Sequence, residues 1–250
     1  WRKKILFSDI YDIDFFNQSM SEHFGGRNIM VTAATIRNEN LKKKVRYDKF
    51  CLWEHSRKSL SHLRRHKVIY SNSMMIHVLK SLKLRKEFNA IVDNHLNAPI
   101  AVQFRIETDW VKYSKRKKVG TNETLLIDPQ QLVEMLKDIH MKEVFFTTGE
   151  DQLLVQTMLE KSNIKSSYFY DSHLEYEINA AINFEILSQS QTFIGLSRSS
   201  FSNLISLKRH LILNNPENYI YNYDNKISKR VDYGLYTSPH DSITISPKII

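Results

Sequence analysis

Cysteine is almost absent: Cys51 is the single thiol in 250 residues, which excludes an internal disulfide and any multi-cysteine metal site. Glycine and proline are scarce too, at 6 and 5 residues, so long flexible linkers and low-complexity tracts are not expected. Long apolar runs are missing. Val144 to Phe146 and Leu153 to Val155 are among the longest, far short of the roughly 18 residues that a membrane helix requires. The 10 histidines include no His-x-x-x-His pair beside a glutamate, and His62 with His66 forms an i,i+4 pair that lacks a third ligand and reads as surface helix. No Gly-x-x-x-x-Gly-Lys loop, Gly-x-Gly-x-x-Gly turn or Gly-x-Ser-x-Gly elbow occurs, which argues against a P-loop kinase, a dinucleotide oxidoreductase and a serine hydrolase. Neither a metal nor a cofactor is expected.

What is present suits a folded α/β chain. Hydrophobic residues make up 42% and aromatics 11%, enough to fill an ordinary core. The net charge of +9 with a pI near 9.4 invites an anionic partner, and much of the excess sits in 42–46, 64–67 and 112–118. No aromatic interleaving, zinc-finger spacing or RNA-motif signature accompanies these clusters, so nucleic acid is the minor reading and solvated loops or a diphosphate ligand the major one. Asn17 and Asn122 stand in glycosylation sequons, which chance supplies readily in a chain rich in Asn and Ser. The chain begins at Trp1, so the absence of a visible signal peptide leaves its natural start open.

Periodicity gives an alternating pattern. Strands are expected over 4–7, 28–33, 68–70, 100–106, 144–147, 168–170, 192–194 and 210–213. Helices are expected over 11–20 (entered after Asp9), 52–63, 74–84, 129–139 with Pro129 in the first turn, 150–161, 175–190 and 199–208. Such alternation predicts parallel sheets covered by helices on both faces. A run of turn formers at 94–99 divides the chain into a partial Rossmann-like N-terminal half, 1–97, and a Rossmann-like C-terminal half, 98–250.

Two segments carry the chemistry. Residues 101–110, Ala-Val-Gln-Phe-Arg-Ile-Glu-Thr-Asp-Trp, place Arg105, Glu107, Asp109 and Trp110 where a strand stops. Residues 193–203, Phe-Ile-Gly-Leu-Ser-Arg-Ser-Ser-Phe-Ser-Asn, leave a strand at Gly195 and surround Phe201 with hydroxyls at the start of a helix. Open parallel sheets bind ligands at such strand ends, and helix N-termini favour phosphate. Arginine binds phosphate oxygens bidentately and stabilises the charge of a departing phosphate, so a diphosphate fits both segments.

The first string, followed by Asn183-Phe184-Glu185-Ile186-Leu187 and then by Phe-Ile-Gly with Ser-Ser-Phe-Ser, resembles the protein O-fucosyltransferase superfamily. Residues 8–16, with Asp9, Asp12 and Asp14, and Phe145-Phe146-Thr147-Thr148-Gly149-Glu150 are similar to two further family segments, so the resemblance spans about residues 5–207. It implies a GT-B fold and an inverting, metal-independent transfer of fucose from GDP-fucose to a hydroxyl of a glycan or protein. It also implies a secretory lumen as compartment, with the cytoplasm left open by the sequence itself. By position, Arg105 would touch the β-phosphate and aid its departure, while Ser199, Ser200 and Phe201 would hold the diphosphate beside Gly195. Asn183 stands where the family has a base-binding aspartate, ten residues before Phe193, and Gln103 where it commonly has histidine. Base recognition is therefore expected to be weaker, differently arranged at Asn183, or shifted to Glu185. The family's Gly-rich loop, which precedes the Asp-containing segment, has no counterpart here; 24–28 follow that segment and read as a turn, so no general base is named.

Plainer readings stand beside these. Arg105 could be a buried arginine paired with Glu107 or Asp109, and Gln103, Arg105 and Glu107 share one strand face. Glu107, Asp109 and Trp110 would then shape the loop, and the serines would only cap a helix. A non-catalytic relative that binds a nucleotide sugar or glycan is the alternative function.

Overall fold

The computed structural model describes residues 5–23, 25, 73–96, 99–116, 122–230 and 245–246. The expected strands at 28–33 and 68–70, the helix at 52–63, Cys51, the His62 and His66 pair, and the clusters 42–46 and 64–67 lie outside these residues. The chain divides into two compact units: Tyr11–Lys83, and Trp1–Ile10 together with Leu84–Ile250. The units part between Lys83 and Leu84, and helix Lys86–His95 packs on helix Tyr176–Gln189 of the larger unit.

In order, the larger unit contains α1 (Phe7–Ile10), α4 (Lys86–His95), β1 (Ile100–Gln103), α5 (Thr108–Ser114), α6 (Pro129–Asp138), β2 (Glu143–Thr147), α7 (Gln152–Lys161), β3 (Lys165–Ser167), α8 (Tyr176–Gln189), β4 (Thr192–Gly195), α9 (Ser200–Leu211), β5 (Asn218–Tyr223), β6 (Lys226–Arg230) and β7 (Ile245–Ser246). The smaller unit contributes α2 (Ile13–His23) and α3 (Ser73–Ser81), whose Ser19 and Ser81 hydroxyls lie 2.7 Å apart.

One sheet runs β3-β2-β1-β4-β5-β6-β7, parallel from β3 through β5 and antiparallel across β6 and β7. The order reverses between β1 and β4, so their carboxyl ends flank the crevice where doubly wound sheets bind ligands. Strands buried on both faces need apolar residues at successive positions, and Ala101, Val102, Phe145, Phe146, Phe193 and Ile194 supply them. Val102, Val144, Phe146 and Ile194 pack with Leu132, Leu136, Val155 and Leu159 of α6 and α7 on one face. Across the sheet, α8 contacts β1 and α4, and the His95 ring meets the edge of Phe145. Burying each large side chain contributes about 1.5–3 kcal/mol. This α/β layer is the fold that the alternation predicts.

Five local expectations change. Residues 5–7 are not a strand, because Asp9 accepts the Leu6 N–H at 2.8 Å and winds the chain into α1. The next helix begins at Ile13 since Asp12, not Asp9, accepts the Phe15 N–H at 3.0 Å. The strand expected at 168–170 lies at Lys165–Ser167; Phe169 turns away so that its carbonyl accepts from Asn183 at 3.1 Å. The strand expected at 210–213 is the end of α9, held by the Ile212 and Leu213 N–H groups on the Lys208 carbonyl at 2.9 and 3.1 Å. The antiparallel strands β6 and β7 were not expected, and β1 stops at Gln103 instead of Ile106.

Candidate functional site

A cavity of about 430 Å³ opens at the carboxyl ends of β1 and β4. Gln103, Arg105, Glu107 and Asp109 form its β1 wall, Arg198, Ser199, Ser200 and Phe201 its β4 wall, and Asn183 lines it from α8. Gly195 and Glu185 do not line it.

The β4 wall is the N-terminus of α9. Ser199 is its cap, accepting the Ser202 N–H at 3.3 Å, and its hydroxyl donates across the crevice to the Gln103 side-chain carbonyl at 3.4 Å. The Ser202 hydroxyl donates to the same oxygen and accepts the Leu196 N–H at 3.1 Å. Gln103 is thus fixed by its carbonyl. Gly195 acts one layer behind: a Cβ there would stand 2.7 Å from the Ser202 hydroxyl and 2.8 Å from the Phe193 ring, so glycine lets α9 close on β4.

Arg105 is paired on both sides. One terminal nitrogen meets Glu107, the other meets Asp109 at 3.0 Å, and the guanidinium carbon lies 5.2 Å from the Trp110 ring centre. Burial would lower its pKa, but the two carboxylates outweigh burial and raise it above the ordinary value. The partners differ: Glu107 is nearly buried, whereas the Asp109 side chain is 74% exposed and easily displaced. Glu107 also accepts the Gly149 N–H at 2.7 Å, and Gly149 has no room for a Cβ, which would meet the same carboxylate oxygen at 2.7 Å. Glu150 accepts from the Thr108 N–H and hydroxyl, both at 3.1 Å, closing the start of α5.

Asn183 commits its amide nitrogen to the Phe169 and Asn179 carbonyls at 3.1 and 2.9 Å. Its side-chain oxygen is buried without a partner. Unlike a carboxylate, it offers one acceptor atom to a ligand. Glu185 accepts from Lys208 at 2.5 and 2.7 Å and does not line the cavity. The aromatics Phe169, Tyr170 and Tyr176 stand at the cavity, the two tyrosines largely exposed. Desolvation, then the Glu107 carboxylate, pushes the Tyr176 phenol up.

Sequence reasoning missed two arrangements. Arg198, with φ of 62°, pairs with Glu123 at 3.0 Å, and Glu123 also accepts from the Ser197 hydroxyl. Arg198 lies inside the quoted motif, but its partner is 75 positions away and no local pattern announces it. Arg209 is fully buried beneath the sheet end, donating to the Ser188, Ser190, Gln191 and Glu217 carbonyls at 2.6–3.0 Å and to Asn218 at 2.8 Å. Desolvation lowers its pKa to about 10. Among the described residues no group of three or more His, Cys, Asp and Glu is placed to hold a metal ion, and no helix is long and apolar enough to cross a membrane.

No family model matches the chain, and no curated protein matches it. Solved structures do. POFUT1 in complex with GDP-fucose is 18% identical, with a TM-score of 0.45 over 60% of this chain and 49% of that one. POFUT1 in complex with GDP is 17% identical, with a TM-score of 0.45 over 59% and 51%. NodZ alpha-1,6-fucosyltransferase co-crystallized with GDP is 16% identical, with a TM-score of 0.40 over 79% and 64%; a further NodZ structure comes from Bradyrhizobium. The chain spans about half the length of the POFUT1 structures it matches.

Proposed function

We propose that the chain is a glycosyltransferase that grips a nucleotide sugar in this cavity and passes the sugar to a hydroxyl of a glycan or protein acceptor. One observation carries the reading: Arg105 and Ser199, 94 positions apart by number, line one cavity at the point where strand order reverses. A diphosphate there would displace Asp109 from Arg105 and accept from the Ser199 and Ser200 amides and hydroxyls at the helix N-terminus. The acceptor hydroxyl oxygen attacks the anomeric carbon from the face opposite the diphosphate and gives up its proton to solvent, the glycosyl bond to phosphate breaks with its electron pair going to the phosphate oxygen, and Arg105 stabilises that charge. This geometry inverts the anomeric carbon. The guanidinium and helix amides supply the countercharge in place of a metal ion. GDP-fucose is the donor proposed, on the motif resemblance, with the Asn183 oxygen accepting a single donor from the base.

Calorimetric titration with GDP tests the reading: the wild type binds, and Arg105→Ala binds at least about tenfold more weakly. A folded wild type that binds no nucleoside diphosphate refutes it. A second reading, a binder without turnover, is favoured by the double pairing of Arg105 and by Gln103 and Asn183 at positions where the resembled family has histidine and aspartate. Transfer of labelled fucose to an acceptor excludes it.

A further inference from the structure

On the β1 wall a single guanidinium faces two carboxylates, so that wall is net negative before a ligand arrives. The helix N-terminus adds about half a unit of positive charge, less than a diphosphate requires. The β4 wall holds a second guanidinium, Arg198, one residue before the Ser199 cap. Its counter-ion is arranged differently from those of Arg105. Glu123 lies outside the cavity lining and buried, and it accepts from Arg198 Nε at 3.1 Å and from Nη2 at 3.0 Å.

The support behind Arg198 is complete. Asn222 accepts the Ser197 N–H at 3.0 Å and donates to the Ser197 hydroxyl at 2.7 Å, and Ser197 donates to Glu123. The Thr124 N–H on the Asn222 carbonyl at 2.9 Å fastens the Glu123 segment to β5. Arg198 itself sits at a left-handed φ of 62°, a conformation that ordinary backbone sterics disfavour for an arginine. A buried ion pair is rarely the most stable filling for its volume, and strained backbone held by surrounding bonds gathers at ligand sites.

We propose that Arg198 is a second cationic anchor for the diphosphate, positioned by Glu123 through the Ser197 and Asn222 hydrogen bonds. This rests on the donor-binding reading above. It adds a residue pair that none of the motifs assigns, and it divides the work: Arg105 meets the ligand by giving up an exposed carboxylate, whereas Arg198 keeps a buried one.

The test compares GDP, GMP and guanosine by calorimetry on the full chain. Arg198→Gln alone strands the buried Glu123 carboxylate and risks unfolding, so the principal variant is Arg198→Gln with Glu123→Gln, which removes both charges together. The double variant should lose about tenfold or more in GDP affinity and keep guanosine affinity within about twofold, the loss growing with phosphate number. Glu123→Gln alone, which keeps the cation and loosens it, should fall between. A folded double variant that holds GDP as tightly as the wild type overturns the proposal. If Arg105→Ala loses GDP while the double variant does not, only the Arg198 assignment fails; if the folded wild type binds none of the three ligands, the donor-binding reading fails with it.

Discussion

Ser199 donates its hydroxyl to the Gln103 side-chain carbonyl at 3.4 Å, although 96 positions separate them. With the bond from Ser202 to the same oxygen, it ties the start of α9 to the end of β1. Gln103→Ala removes the acceptor of two buried hydroxyls, at a cost of about 1–3 kcal/mol. Thermal unfolding and GDP titration should register the loss together. An unchanged melting temperature would show that the crossing bond holds nothing.

Asp109 competes with a ligand for Arg105. Because its carboxylate is mostly exposed, Asp109→Asn should leave stability nearly unchanged and raise nucleoside diphosphate affinity about two- to fivefold. Weaker binding in that variant would mean that Asp109 orients Arg105 for the ligand.

Gly149→Ala drives a methyl group into Glu107, whose carboxylate also receives the Gly149 N–H. Overpacking of this kind costs about 1–3 kcal/mol. Adding Glu107→Ala should recover part of that loss, and a double-mutant cycle measures the recovery. Strictly additive effects would place the strain elsewhere.

Arg209→Leu leaves several buried carbonyls and the Asn218 side chain without their donor. The expected destabilisation is roughly 3 kcal/mol or more by urea denaturation. A variant that unfolds like the wild type refutes the central role assigned to this side chain.

Tyr219 donates to Glu217 at 2.8 Å, and desolvation, followed by that hydrogen bond and the Glu217 charge, raises its pKa to about 12. The folded state therefore holds this proton more tightly than the unfolded chain, whose phenol titrates near 10. The sign follows: the contribution to stability is complete below about pH 10 and is lost as pH rises through about 12. Subtracting the phenolate absorbance titration of Tyr219→Phe from that of the wild type should isolate one late component; a difference centred near 10 contradicts it.

The parallel layer and the two strand-end motifs were legible because apolar runs such as Ala101-Val102 and Phe193-Ile194 can only be central strands, and residues just beyond them must face the crevice. Pairing of Arg105 with Glu107 and Asp109 was legible as the plainer reading, and the structure places those pairs within the same cavity that the ligand reading requires. What escaped depends on distance along the chain or on backbone shape. Glu123 finds Arg198, and Lys208 claims Glu185, through contacts no periodicity encodes. The run at 210–213 is apolar enough for a strand, but hydrogen bonding to Lys208 and the left-handed Asn214 make it a helix end. The hairpin of β5 and β6 turns at Asp224 and Asn225, both at positive φ, a signal present in the residue types yet outweighed by the alternating pattern upstream.

The Arg85 N–H donates to the Ile10 carbonyl at 3.0 Å, so the chain departs from the sheet-bearing unit and rejoins it at adjoining points. Because the two ends of that excursion meet at one hydrogen bond inside the larger unit, exchanging the segment between them would leave every described strand of the sheet with its own connections.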